Sequence, residues 1–212
     1  MKTNTRLVDR SELPGISEAV TLVSGLPRSG TSMMMRMLAA GGMPVVTDNI
    51  REANEDNPNG YFELEKIKEL DKDDTWLKNE KGKAIKAIAA LLPQLPRNIF
   101  YYVIFMQRDM DEILASQRKM LERRGTADKA DVSDDIMAAK YETYLKATCK
   151  WLEQQEHFHV IHVHYNGILR DPLGLAERIN AFLGSSLDAR KMAQVVDPNL
   201  YRQRCPLGNR AG

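Results

Sequence analysis

Val23-Ser24-Gly25-Leu26-Pro27-Arg28-Ser29-Gly30-Thr31-Ser32 joins two patterns that belong to different elements, and its reading decides the fold. Before it, Ala19-Val20-Thr21-Leu22-Val23 is a short apolar, β-branched run of the kind that forms a buried strand. After it, Met33, Met34, Met37 and Leu38 recur at helical spacing until Gly41-Gly42 stops the pattern. A strand, a glycine-containing turn and a helix together aim backbone N–H groups and a helix N-terminus at a phosphate. Gly25 and Gly30 permit close approach and unusual backbone angles, and Arg28 is the loop's cation. Pro27 and Ser29 flank that cation, and Thr31 and Ser32 add hydroxyls in the first helical turn. The stretch predicts a binding loop for a phosphorylated nucleotide.

Gly25 and Gly30 have the spacing of the G-x-x-x-x-G-K-[ST] cradle, yet Thr31 stands where the lysine belongs. A nucleotide-hydrolysing loop uses that lysine on the β and γ phosphates and the next hydroxyl on Mg²⁺. Its replacement turns the reading away from a kinase or hydrolase, which stays open as an alternative, as does a nucleotide binder without catalysis. Asp109 is the nearest candidate for a magnesium-holding aspartate, and its place favours helix capping.

Outward from the loop, the periodicity alternates. Glu63 to Leu77 reads as a charged helix and Lys83 to Ile88 as a strand, closed by the prolines of Leu92-Pro93-Gln94-Leu95-Pro96. Ile99 to Met106 is the clearest strand, and Met110, Ile113, Leu114, Gln117 and Leu121 form one helix face after it. A second long helix, capped by Ser133, carries Met137, Tyr141, Tyr144, Thr148 and Trp151 on one face. His157 to Tyr165 is a further strand, and Asp171-Pro172 opens a helix that Gly184 closes. The four histidines His157, His159, His162 and His164 are read as filling or edging the sheet, with a metal site the lesser alternative. The expectation is an α/β protein with a P-loop-like three-layer fold, its mainly parallel central sheet flanked by helices. Residues 1–212 are expected to form one domain, with a polar lead-in over 1–17 and a tail over 205–212.

Charge narrows the partners. Thirty basic residues oppose 29 acidic ones, so there is no electrostatic argument for nucleic acid or an anionic membrane. Cys149 and Cys205 form no metal-ligand pattern, and the start MKTNTRLVDRSELPG lacks the apolar run of a signal peptide. A cytoplasmic location is expected.

Gly25-Leu26-Pro27-Arg28-Ser29-Gly30-Thr31-Ser32 resembles the 5′-phosphosulfate loop of sulfotransferases that use 3′-phosphoadenylyl sulfate (PAPS), above all the bacterial and tyrosylprotein-type members. A strand ending in Arg108-Asp109, with Ser116 about two helical turns on, resembles the family's arginine and serine that hold the nucleotide's 3′-phosphate. Lys83–Pro96 is similar to the strand that places a lysine near the transferred group, which maps to Lys86. Tyr165-Asn166-Gly167-Ile168-Leu169-Arg170-Asp171-Pro172, leading to Phe182-Leu183-Gly184, resembles the structural segment after the last core strand. The resemblance implies PAPS as donor, adenosine 3′,5′-bisphosphate as product and no required metal. The acceptor would be a hydroxyl or amine, with a small molecule as the default.

Small-molecule members carry a histidine two residues after that lysine, where this chain has Ile88. A carboxylate base is the substitute in the tyrosylprotein and heparan types, and Asp48 and Glu63 are the candidates, with Glu52 and Glu55 nearby. Arg202 and Arg204 loosely resemble a late basic loop that closes over the 3′-phosphate.

Overall fold

The computed structural model describes residues 13–48, 50, 60–123, 125 and 133–200. Glu52, Glu55, Arg202 and Arg204 lie outside them. The fold is α/β, built on four parallel strands: β1 (Val20–Gly25), β2 (Ala84–Lys86), β3 (Tyr101–Gln107) and β4 (Phe158–His164). Their order across the sheet is β2-β1-β3-β4. Val20 to Gly25 pairs with Tyr101 to Met106, and Tyr101 to Gln107 pairs with Phe158 to His164. The helices are α1 (Thr31–Ala40), α2 (Met110–Arg123), α3 (Asp134–Leu152), α4 (Tyr165–Arg170), α5 (Pro172–Phe182) and α6 (Ala189–Gln194).

Alternation along each strand divides the core between the two faces of the sheet. Val23, Ile104, Met106, Ile161 and Val163 pack with Met34, Met35, Met37 and Leu38 of α1 and with Ile168, Ala176, Ile179 and Met192 of α4 to α6. Leu22, Ile85, Tyr101, Val103 and Phe105 pack on the other side with Ile67, Leu70, Trp76, Leu77, Leu92 and Leu152. The strands β1 and β3 are apolar on both faces because both are covered, which is why they read as continuous apolar runs. Three of the four histidines make ring contacts, His159 stacked on Phe182 at 4.8 Å and His157 and His162 edge-on to Tyr101 and Phe105, and His164 is exposed. Among the described residues no group of three or more His, Cys, Asp or Glu could hold a metal ion, and no helix is long and apolar enough to cross a membrane.

Four local expectations change. Glu63 to Leu77 is not one helix but the start of two 3₁₀ helices, Glu65–Glu69 and Thr75–Glu80. Asp73 Oδ1 accepts from the Thr75 amide at 3.0 Å and the Thr75 hydroxyl at 2.6 Å, so side chain to backbone bonding replaces the helical ladder. The strand at Lys83–Ile88 shortens to Ala84–Lys86, and Tyr165 opens α4 instead of ending β4. Along α3 burial is confined to Thr148 and Leu152 near its end, and Tyr144 is exposed. Asp109 and Asp171 do cap: their carboxylates accept from the amides of Asp111 at 3.0 Å and Gly174 at 2.9 Å.

Parallel strands put all their carboxyl ends on one edge. There β1 runs into residues 26–30, β2 ends in Lys86, β3 is followed by Arg108, and β4 by Tyr165. From β1 the chain passes to β2 on one side and then returns to β3 on the other. That reversal is a switch point in strand order, the place where open α/β sheets bind ligands.

Candidate functional site: a phosphate cradle at the carboxyl edge

The loop after β1 is held tightly from within. The amide and hydroxyl of Ser29 both donate to the Leu26 carbonyl, at 3.2 and 2.7 Å, so buried Ser29 closes the turn. Pro27 is exposed at its tip. Gly25 has φ 144°, and a Cβ there would stand 2.5 Å from the Met106 carbonyl. Gly30, at φ 99°, caps α1, and a Cβ there would stand 2.4 Å from Cδ2 of Tyr165. Only glycine fits either place, because left-handed backbone and close packing coincide. The first intrahelical bond runs from the Met34 amide to the Gly30 carbonyl at 3.2 Å. The amides of Thr31, Ser32 and Met33 precede it, so they point out of the helix end as an anion receptor requires.

Arg28 is a non-glycine residue at φ 72°. Such backbone costs of order 1–3 kcal/mol and persists only where the surroundings hold it. They do so twice: Arg28 Nε donates to Ser116 Oγ at 3.0 Å, and Arg108 Nη1 donates to the Arg28 carbonyl at 3.1 Å. The two motifs that the sequence places 80 residues or more apart are thus joined by hydrogen bonds. Arg108 also lies over the Tyr165 ring, 4.4 Å from guanidinium carbon to ring centre, and the same ring seats Gly30. Burial raises the pKa of the Tyr165 phenol, and the positive charge of Arg108 partly opposes that rise.

Lys86 comes from β2, on the other flank. Its ammonium donates to the Tyr61 carbonyl at 2.7 Å and to Ser32 Oγ at 3.2 Å, and lies 3.7 Å from Glu63 Oε1. The Lys86 and Glu63 side chains are 10% and 24% exposed, so neither is a solvated surface charge. The lysine missing at Thr31 is replaced in space: a cation reaches the head of α1 from the neighbouring strand. Phe62, between Tyr61 and Glu63, has φ 51°, which lets the chain turn the carbonyl before it and the carboxylate after it onto one ammonium.

Asp48 sits close in the chain fold but does different work. Its segment lies along that of Glu63, with the Thr47 hydroxyl and the Asp48 amide donating to the Glu63 carbonyl at 3.0 and 3.3 Å. The Asp48 carboxylate accepts from the amides of Glu65 at 2.6 Å and Ile50 at 3.0 Å. Those amide bonds hold its pKa below the usual carboxylate range. The structure brings Glu63 to Lys86 and turns Asp48 to the backbone.

One charged residue escaped the sequence reading. Glu112 is 1% exposed at its side chain; its Oε2 takes Arg108 Nε at 2.8 Å, and its Oε1 takes Asn166 Nδ2 at 3.3 Å. Arg108 is 8% exposed at its side chain, so this is a buried pair, and removing either partner costs about 3–5 kcal/mol. The signal was present as an Arg after a strand and a Glu four residues on in the first turn of the next helix, a spacing shared by many surface pairs.

The chain is an α/β protein with a glycine-capped strand-to-helix turn at the carboxyl edge of a parallel sheet. The chain belongs to the sulfotransferase family, whose model matches residues 60–189 and so begins beyond the loop at 23–32. The sulfotransferase domain from the curacin biosynthetic pathway superposes with a TM-score of 0.50 at 15% identity, over 89% of this chain and 80% of that one. That likeness is one of fold. Sulfotransferase STF1 from Mycobacterium tuberculosis H37Rv aligns at a TM-score of 0.46 and 18% identity, over 84% of this chain and 71% of that one. A sulfotransferase from Alicyclobacillus acidocaldarius aligns at 0.45 and 16%, over 85% and 87%. No curated protein matches the chain.

Proposed function

We propose that this chain transfers a sulfuryl group from PAPS to a hydroxyl or amine of a small-molecule acceptor, with Glu63 as the base. The observation that carries the reading is the Lys86 ammonium held between Ser32 at the head of α1 and the Glu63 carboxylate. It sets a cation and a proton acceptor beside one another at the mouth of a phosphate cradle.

The residues present suit the donor. The amides of Thr31 to Met33 lie ahead of the first intrahelical bond of α1, and three cations, Arg28, Lys86 and Arg108, stand around the loop. PAPS supplies an activated sulfuryl group, and the chain's residues do the rest. Arg28 and the amides of Gly30 to Met33 hold the 5′-phosphate and meet the negative charge that grows there as the bond from sulfur to phosphate oxygen breaks. Lys86 steadies the group in transfer. Glu63 accepts the acceptor's proton while the new bond from acceptor to sulfur forms. Arg108 and Ser116, at the Arg28 end of the loop, bind the 3′-phosphate. The kinase alternative needs a strand-end aspartate aimed at the cradle, and the Asp109 carboxylate turns to the Asp111 amide.

Thermal unfolding without Mg²⁺ tests the donor. Adenosine 3′,5′-bisphosphate at 100 times its Kd is expected to add about 2.7 kcal/mol of stability. Stabilisation by ADP or ATP only with Mg²⁺, and none by the bisphosphate, overturns the reading.

A further inference from the structure

We infer that Glu112 is a positioning residue for phosphate binding, acting through Arg108 on the backbone of the loop. The inference rests on the reading of residues 25–32 as the nucleotide's phosphate site. Glu112 lies in the first turn of α2 with its side chain buried, and a buried carboxylate carries a desolvation cost that an apolar side chain of similar volume does not. A buried ion pair is weak support for stability, so its presence here calls for another reason. The reason is direction. Glu112 Oε2 takes Arg108 Nε at 2.8 Å, which turns the opposite edge of the guanidinium to the Arg28 carbonyl at 3.1 Å. That carbonyl belongs to the left-handed residue of the loop, whose φ of 72° needs an external hold. The other carboxylate oxygen is fixed by Asn166 Nδ2 at 3.3 Å, from the segment after β4. Asn166 meanwhile leaves Oδ1 buried without a partner among the described residues. That is the orientation a carboxylate facing the amide demands, since the reverse would set two oxygens together. Elements after β3 and β4 thus converge on Glu112, and Glu112 passes their rigidity to the loop after β1.

The test is a double-mutant cycle read by calorimetric titration of adenosine 3′,5′-bisphosphate, with ligand-free melting temperatures recorded beside it. Glu112→Gln keeps the shape and removes the charge. It is expected to weaken binding about tenfold in the wild-type background. Arg108→Lys keeps a cation for Glu112 but lacks the second edge that reaches Arg28, so within it Glu112→Gln should change affinity by less than about twofold. Equal losses in both backgrounds mean general structural damage and overturn the inference, as does unaltered binding by Glu112→Gln in the wild-type background. Glu112→Asp serves if the glutamine variant does not fold: its shorter carboxylate cannot reach Arg108 and Asn166 together, and wild-type affinity in it is likewise refuting. If the wild-type protein itself does not bind the bisphosphate, the proposed donor fails, which is a separate result.

Discussion

Exchanging Glu63 for Gln and, separately, Asp48 for Asn separates the proposed proton acceptor from the carboxylate beside it that bonds to backbone amides. Glu63 Oε1 lies 3.7 Å from Lys86 Nζ with both side chains partly buried. Glutamine keeps the shape, and the Lys86 ammonium keeps the Tyr61 carbonyl and the Ser32 hydroxyl, so the loss is set at about 1 kcal/mol, below that of a buried pair whose remaining charge is left alone. In a chain of this size that corresponds to a fall of about 2–4 °C in melting temperature. The loss of a general base is larger, about 10²–10⁴-fold in the transfer step. Glu63→Gln is therefore expected to bind the bisphosphate normally, unfold close to the wild-type temperature and turn over slowly. Asp48→Asn is expected to do the reverse. Its carboxylate is held below the usual pKa by the Glu65 and Ile50 amides, at 2.6 and 3.0 Å. A depressed folded pKa adds stability that is fully present above the unfolded value of about 3.9 and is lost as pH falls through the folded one. The gap in melting temperature between wild type and Asp48→Asn should thus be open at neutral pH and close on acidification below about pH 4. Single-turnover transfer from PAPS, with nucleotide affinity measured in parallel, reads the catalytic half; thermal melts across pH read the other. Normal turnover in Glu63→Gln, or an equal rate loss in Asp48→Asn at unchanged affinity, refutes the assignment.

Two further outcomes follow from the loop. Arg28→Ala removes the cation proposed to meet the 5′-phosphate and should raise the barrier by about 2.7–4 kcal/mol, roughly a hundredfold to a thousandfold in single-turnover rate; a change within about tenfold counts against its role. Gly30→Ala places a side chain at φ 99° and 2.4 Å from Tyr165 Cδ2. The left-handed backbone alone costs about 1–2 kcal/mol, so both the melting temperature and bisphosphate affinity should fall, and retention of both would show that the loop does not need its seat on Tyr165.

The loop and its flanking elements were legible because their signals are local. β-branched residues before Gly25, helical spacing after Gly30 and two glycines at points of positive φ all act within a few residues. The caps at Asp109 and Asp171 were legible for the same reason. Where local signals competed, the reading slipped. Glu63 to Leu77 has helical composition, yet Asp73 bonds to Thr75 and breaks it into 3₁₀ turns, a choice that composition alone does not record.

The sequence by itself determined that strands alternate with helices and that residues 23–32 form a glycine-containing turn between one of each. It also carried the family resemblance of Arg28, Lys86, Arg108 and Ser116. Only the tertiary structure decided which groups meet. Lys86 reaches Ser32 because β2 lies beside β1, and Arg108 reaches the Arg28 carbonyl because β3 lies on β1's other side. Glu63 turns to that lysine while Asp48, in the adjoining strand of chain, turns to backbone amides. The physical reason is that a polar group's partner across 50 or more residues is set by sheet order and register, whereas propensity acts only over a turn or two. Burial separates the two paired carboxylates, Glu63 at 24% side-chain exposure beside Lys86 and Glu112 at 1% against Arg108.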